Sequence, residues 1–275
     1  MSSSQFWDVL ARHHARLENN YFDLATIRGL ADSIREPVLV VGAGQGLLVA
    51  ELRKKGLQCD GIDFSSAMIQ QAKSRRKLDL IHADARAMPL SDGTCATIIF
   101  ATGVIDFTSD EADIQKMLNE GRRVLQPAGR ILVGFYRLSP VLEEFVKRVG
   151  LLRDHVLSQR ECLEMYLLSS AQMVKWIAKR ARTGYLLAGA LLFQLAVQGT
   201  MREKMLTFRM QKIFRDAGDA NALLRSAPQK QPYRDESEVR SLFERLAIPL
   251  KEIRPFPACW IAEIAEERRS AMPNR

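Results

Sequence analysis

The chain has four cysteines in 275 residues, Cys59, Cys95, Cys162 and Cys259, and no two of them stand at a paired spacing. Neither a cysteine zinc site nor a disulfide framework is indicated, and a reducing cytoplasm is the expected compartment. Long hydrophobic runs are lacking too. A membrane-spanning helix needs roughly 20 apolar residues, whereas Tyr185–Val197 is a 13-residue run interrupted by Gln194. The first residues hold no basic patch followed by an apolar run and a small-residue cleavage site, so no secretory signal is expected. Repeats and low-complexity tracts are absent. What remains is ordinary for a globular protein, 47% hydrophobic and 26% charged residues, in a length that suits one domain with a sizeable insertion.

The most informative stretch is Val38-Leu-Val-Val-Gly-Ala-Gly-Gln-Gly-Leu-Leu48. Val38–Val41 has no polar break and is β-branched apart from Leu39, the pattern of a strand buried on both faces of a parallel sheet. Gly42, Gly44 and Gly46 then permit a tight turn in which a ligand meets bare backbone at the start of a helix over 47–55. A dinucleotide fingerprint wants its third glycine at the sixth position, where this chain has Leu47. Gly-x-Gly-x-Gly fits S-adenosylmethionine (SAM) better than a pyrophosphate. A second apolar strand, 58–62, ends in Asp63, 17 residues after Gly46, placed to accept from two ribose hydroxyls. A third, 78–82, runs into Asp84-Ala85, and a fourth, 96–100, into Ala101-Thr102-Gly103-Val104. All four motifs fall at strand C-terminal ends, where open α/β sheets bind ligands.

Taken in order, VLVVGAGQG, GIDFSSAMIQQAK, HADARAMPLSDGTCATIIF and EADIQKMLNEGRRVLQPAGRILVGFY make residues 30–136 resemble the core of a class I SAM-dependent methyltransferase. The general likeness is to small-molecule enzymes of the ubiquinone and menaquinone type. That resemblance implies an α/β fold: a Rossmann-like doubly wound seven-stranded sheet, an N-terminal helical lid over 1–29, a SAM-binding core over 30–137, a helical insertion over 138–230 after the fifth strand, and a closing helix and strand pair over 231–275. It also implies site residues. Gly42, Ala43, Gly44 and Gly46 border the methionine part of SAM, Asp63 the ribose, Phe64 and Asp84-Ala85 the adenine, and Ala101-Thr102 the wall that faces the transferred methyl. One position departs from the family, which usually carries an acid two residues before the first glycine to hold the SAM amino group; here it is Val40. A non-catalytic, methyltransferase-like binding protein is therefore the alternative reading. A nicotinamide oxidoreductase is opposed by Leu47 and by the second and third strand-end motifs.

Candidates for the chemistry are fewer. The 101–107 stretch has no Asn-Pro-Pro-Tyr or Asp-Pro-Pro-Tyr, which argues against methylation of nucleobase or amide nitrogen. Asp106 can orient a substrate hydroxyl or ammonium, or simply cap the next helix. His14, beside His13 in the amphipathic N-terminal segment, can serve as a general base or lie on its polar side. Tyr136, at the end of the fifth strand, and Tyr233 are weaker candidates of the same kind. No metal is expected. Methyl transfer by in-line displacement needs alignment and exclusion of water before it needs a base.

Charge is uneven. Residues 138–230 hold 15 basic and 8 acidic side chains, against 17 and 16 in residues 1–137. A nearly neutral core with a basic insertion suggests an anionic partner. Within it Lys175-Trp-Ile-Ala-Lys-Arg-Ala-Arg182 precedes the apolar run 185–197. This pairing reads as a buried helix, a homodimer contact or a peripheral membrane contact. Nucleic acid is not expected, since aromatics are not interleaved with the charges. An aliphatic lining would favour a small-molecule, hydrophobic or lipid-like acceptor.

Overall fold

The structure is a computed structural model that describes residues 7–8, 11, 30, 34–108, 110–137, 234–256 and 259–265. His13, His14, Tyr233, the insertion with its 175–197 stretch, and the tail beyond 265 lie outside the described residues.

Seven strands form one sheet in the order β3-β2-β1-β4-β5-β7-β6. They are β1 (Val38–Val41), β2 (Cys59–Asp63), β3 (Ile81–His82), β4 (Cys95–Phe100), β5 (Leu125–Tyr136), β6 (Leu250–Pro255) and β7 (Cys259–Ile264). The first five run parallel, while β7 is antiparallel to both β5 and β6. The expected doubly wound α/β sheet is present. Its last two strands carry the chain from the far side of the insertion back onto β5.

The central strands bury alternate side chains on opposite faces, as the two-residue repeat requires. Leu39, Val41, Ile98, Phe100, Ile131, Val133 and Phe135 join one apolar cluster. It is completed by Ile114, Met117 and Leu118 of α3 (Glu111–Val124) and by Val239, Leu242 and Phe243 of α4 (Glu236–Arg245). Val38, Val40, Ile99, Leu132 and Ile261 face the other cluster. There they meet Leu48, Val49 and Leu52 of α1 (Leu47–Lys54) and Ala72 of α2 (Ser66–Arg76). Each large side chain so buried stabilises the fold by about 1.5–3 kcal/mol. The glycine loop thus leaves a strand clamped from both sides.

Helix starts follow local chemistry. Ser65 accepts from the Met68 N–H, Asp110 from that of Ala112, and Asp235 makes a full capping box with Glu238. Two boundaries differ from the sequence reading by more than one residue. The third strand, expected over 78–82, is reduced to Ile81–His82, because the Leu78 N–H still bonds the Ala72 carbonyl at the end of α2. The fifth, expected from Arg130, already pairs at Leu125, then loses register before Arg130, with Ala128 at φ 58° between them.

Candidate functional site

The glycine loop is shaped by its neighbours as much as by its own freedom. Gly42 sits at φ +73°, and a Cβ there would fall 2.2 Å from Val104 Cγ2. Only glycine lets the β1 end and the β4 end approach so closely. Gly46, at φ 77°, is the N-cap of α1 and brings no side chain to it, and the first turn holds no acidic residue. The helix therefore begins with its positive end uncapped from within.

Asp63, at the C-terminal end of β2, completes the loop. Its carboxylate accepts from the Gly44 N–H at 2.7 Å and the Ser65 N–H at 2.8 Å. Burial raises its pKa against the pull of those two N–H groups. Ser65 is shared further, donating from its Oγ to Asp8 at 2.6 Å. A residue of the N-terminal segment is thereby tied to the α2 cap.

These pieces line one cavity of about 360 Å³ at the C-terminal ends of β1, β2 and β4. The sequence-derived residues Gly42, Ala43, Gly44, Asp63, Phe64, Asp84, Ala85, Ala101, Thr102 and Tyr136 all lie on its wall. Gly46 stands behind, packed toward Leu78 and Ala72. Asp84 is on the wall, yet both of its oxygens are held by Arg86, which also reaches Asp113 at 2.7 Å. The Arg86 hydrogen bonds keep the Asp84 carboxyl below its usual range. Four carboxylates, Asp63, Asp84, Asp110 and Asp113, face two guanidiniums, Arg76 and Arg86, around the cavity. That balance suits a ligand with a fixed positive charge.

Asp106 is not on this wall. It is buried, accepting from the backbone N–H of Gly103 at 3.2 Å and of Tyr136 at 3.0 Å, with Arg234 Nε 3.4 Å away. Burial pushes its pKa up to about 7, against the opposing pull of the Tyr136 N–H and Arg234. Its contacts make it a brace between the β4 loop, the end of β5 and the chain returning from the insertion. The Arg234 N–H also donates to the Tyr136 carbonyl at 3.0 Å, so residues 137 and 234 lie side by side. Tyr136, the last residue of β5, lines the cavity, so this contact lies at its edge.

The sequence reading missed three wall residues of note. Trp7 and Phe107 have ring centroids 5.3 Å apart, and Phe107 and Tyr136 5.7 Å, giving a continuous aromatic wall. Their signal was present: Trp7 recurs in the amphipathic segment, and Phe107 closes the 101–107 stretch. Gln45, inside the glycine loop, is 93% buried, and its Nε2 has no hydrogen-bond partner among the described residues; Thr102 Oγ1 is in the same condition. No cluster of metal-ligating side chains occurs among the described residues.

The sheet order, with a glycine loop after β1 and a buried acid at the end of β2, is that of a Rossmann-like α/β fold. Residues 39–133 match the family described as a methyltransferase domain. Two demethylmenaquinone methyltransferases are similar in sequence. That of Beutenbergia cavernae is 31% identical over 117 residues, 42% of this chain and 47% of the relative. That of Clavibacter sepedonicus is 30% identical over 122 residues, 43% and 48%. The chain thus spans about half the length of the curated relatives it matches. A solved structure of a candidate SAM-dependent methyltransferase from Methanococcus maripaludis shares the fold, with TM-score 0.50 and 14% identity over 97% of this chain and 96% of its own. Residues 39–133 are thus similar to a methyltransferase domain, and the chain shares the fold of that solved structure.

Proposed function

We propose that this chain is an enzyme transferring a methyl group from SAM to a small hydrophobic or lipid-like acceptor. The observation that carries the reading is the composition of the cavity wall. The glycine loop and the buried Asp63 carboxylate meet there with the rings of Trp7, Phe107 and Tyr136. Bound SAM supplies a methyl group made electrophilic by a positively charged sulfur. The protein's part is to hold and align. Asp63 accepts from ribose hydroxyls, the carboxylate-rich wall favours the sulfonium, and the aromatic wall excludes water from an apolar acceptor. The menaquinone precursor in the names of the two relatives is an acceptor of this kind.

Asp106 acts in this reading as a positioning residue, fixing Tyr136 and Gly103 through their N–H groups. Tyr136, on the wall, is the candidate to orient the acceptor. The insertion over 138–230, joined at the cavity edge, selects the acceptor, and its basic stretch followed by the 185–197 run places it against anionic lipid. No helix among the described residues is long and apolar enough to cross a membrane.

The test is calorimetric titration with SAM and with S-adenosylhomocysteine, followed by transfer of labelled methyl from SAM to demethylated quinols presented in micelles. Micromolar binding with label in the quinol is the expected result. Binding without transfer to any apolar acceptor would favour the binding-protein alternative that Val40 motivates, and no binding would remove both readings. Retention on anionic liposomes at low salt, lost when Lys175, Lys179, Arg180 and Arg182 become Ala, is expected if the insertion meets lipid.

A further inference from the structure

A second cavity, of about 450 Å³, opens at the other end of the sheet from the glycine loop. Arg35 enters it from just before β1, Ala128 and Arg130 from β5, Lys251 from β6, and Glu263 and Ala265 from the end of β7; it shares no lining residue with the first cavity. Two irregularities shape it. β5 loses register with β4 between Leu125 and Arg130, and β6 with β7 between Leu250 and Glu252, which leaves Lys251 as an extra residue. Bulges of this kind re-aim a side chain. Three of the lining side chains are cationic and one is acidic, an excess of +2. Glu263 is buried and fully engaged, accepting from Arg130 Nε at 2.9 Å, from Arg130 Nη2 and from Lys251 Nζ at 3.0 Å. Against the upward push of burial, those bonds hold its pKa below the ordinary value, so it stays ionised. Arg130 is spent on that pairing. Lys251 gives Glu263 one of its three donors, and Arg35 gives one guanidinium N–H to the Ala128 carbonyl at 3.4 Å. Both are exposed. Their acidic neighbours are turned elsewhere: Glu36 accepts from the Gln58 N–H, and Glu252 pairs with Arg254 at 3.2 Å.

A concave wall with this excess, and with remaining N–H donors on a guanidinium and an ammonium, matches a phosphate monoester, which carries a charge of about −1.5 to −2 at pH 7 on three acceptor oxygens. We propose that this cavity binds a phosphate monoester, held by Arg35 and Lys251, while Glu263 fixes Arg130 behind them. The volume lies in the range of small-molecule sites, so the phosphate carries an organic body with it. The site stands apart from the methyltransferase reading and can be tested independently of it. A free metabolite and a lipid headgroup present the same group, and they differ in how they must be offered.

The full chain is titrated calorimetrically with glycerol 3-phosphate, with glycerol and, separately, with SAM, at constant ionic strength. It is also floated with phosphatidylcholine vesicles with and without phosphatidic acid. Saturable binding of glycerol 3-phosphate and none of glycerol is the expected result. Arg35→Gln and Lys251→Gln together should weaken that binding at least tenfold while SAM affinity stays within twofold. Both changes fall on exposed side chains and leave the Arg130–Glu263 pair in place, so the ligand-free melting temperature should hardly move. Flotation that requires phosphatidic acid and is lost in the double variant, without binding of glycerol 3-phosphate, would support the site and assign it to a lipid headgroup. Binding of neither form overturns the proposal, as does binding that the double variant leaves unchanged. Loss of SAM and glycerol 3-phosphate together in the double variant would mark a merely structural role and overturn it too. The SAM titration of the unmodified protein reports on the methyltransferase reading in every case.

Discussion

At the scale of single residues, the site is a set of buried polar groups whose partners are mostly backbone. Asp63 spends one hydrogen bond on each of two N–H groups and retains lone pairs for a ligand. Asp63→Ala is expected to weaken SAM by at least tenfold, about 1.4 kcal/mol, in a calorimetric titration; unchanged affinity would remove the ribose assignment. Asp106 gives a pH signature. Its carboxyl titrates near 7 in the folded protein against an ordinary 3.8, so between those values the folded state holds a proton that the unfolded state has lost. Its contribution to stability is full below about 3.8 and disappears as pH rises to about 7. Denaturant midpoints of Asp106→Asn should therefore fall less steeply than those of the unmodified protein over that window; parallel curves would contradict the raised pKa. Asp63, Asp84 and the glycines were readable in the sequence because family spacing fixes where they fall along strand ends. The brace role of Asp106 was not, since it depends on Arg234, 128 positions away, and nothing local announces such a partner.

At the scale of elements, boundaries were legible where side chains themselves make the cap. Asp110 and Asp235 are residues of the type that favours helix N-caps, and both cap in the structure. Asp235→Ala removes a capping box and should cost about 1 kcal/mol of stability, read from denaturant unfolding, with SAM affinity unchanged because no residue of α4 lines the cavity. Strand limits were harder. Leu78 and Leu80 are as apolar as any strand residue, but they pack behind the glycine loop near Gly46 and Gly61 while only Ile81 and His82 pair with β2. Burial and ladder pairing coincide in central strands and separate at this edge. Hydrophobicity alone therefore overstated β3.

At the scale of the whole molecule, the parallel half and the closing hairpin were expected from the resemblance and are present as one sheet. The junction between them was beyond the sequence, since it is a backbone contact. The Tyr136 carbonyl receives the Arg234 N–H, so the chain that intervenes has its two ends fixed side by side. Replacing residues 138–233 by a short Gly/Ser linker should leave SAM affinity within a few-fold, by calorimetry, and abolish transfer to the hydrophobic acceptor. Loss of SAM binding would show that the excised residues build the cofactor site as well.

The same junction governs what happens while the chain is being made. β5 is synthesised well before its partner: Tyr136 pairs with Cys259 in the finished sheet, and at ordinary elongation rates the ribosome needs roughly 6 to 25 seconds to cover that interval. Throughout it the nascent protein carries a nearly completed parallel sheet whose outer strand, Leu132 to Tyr136, offers unpaired backbone to any neighbour. A long excursion at this point thus gives the growing polypeptide a period of exposure to intermolecular strand pairing.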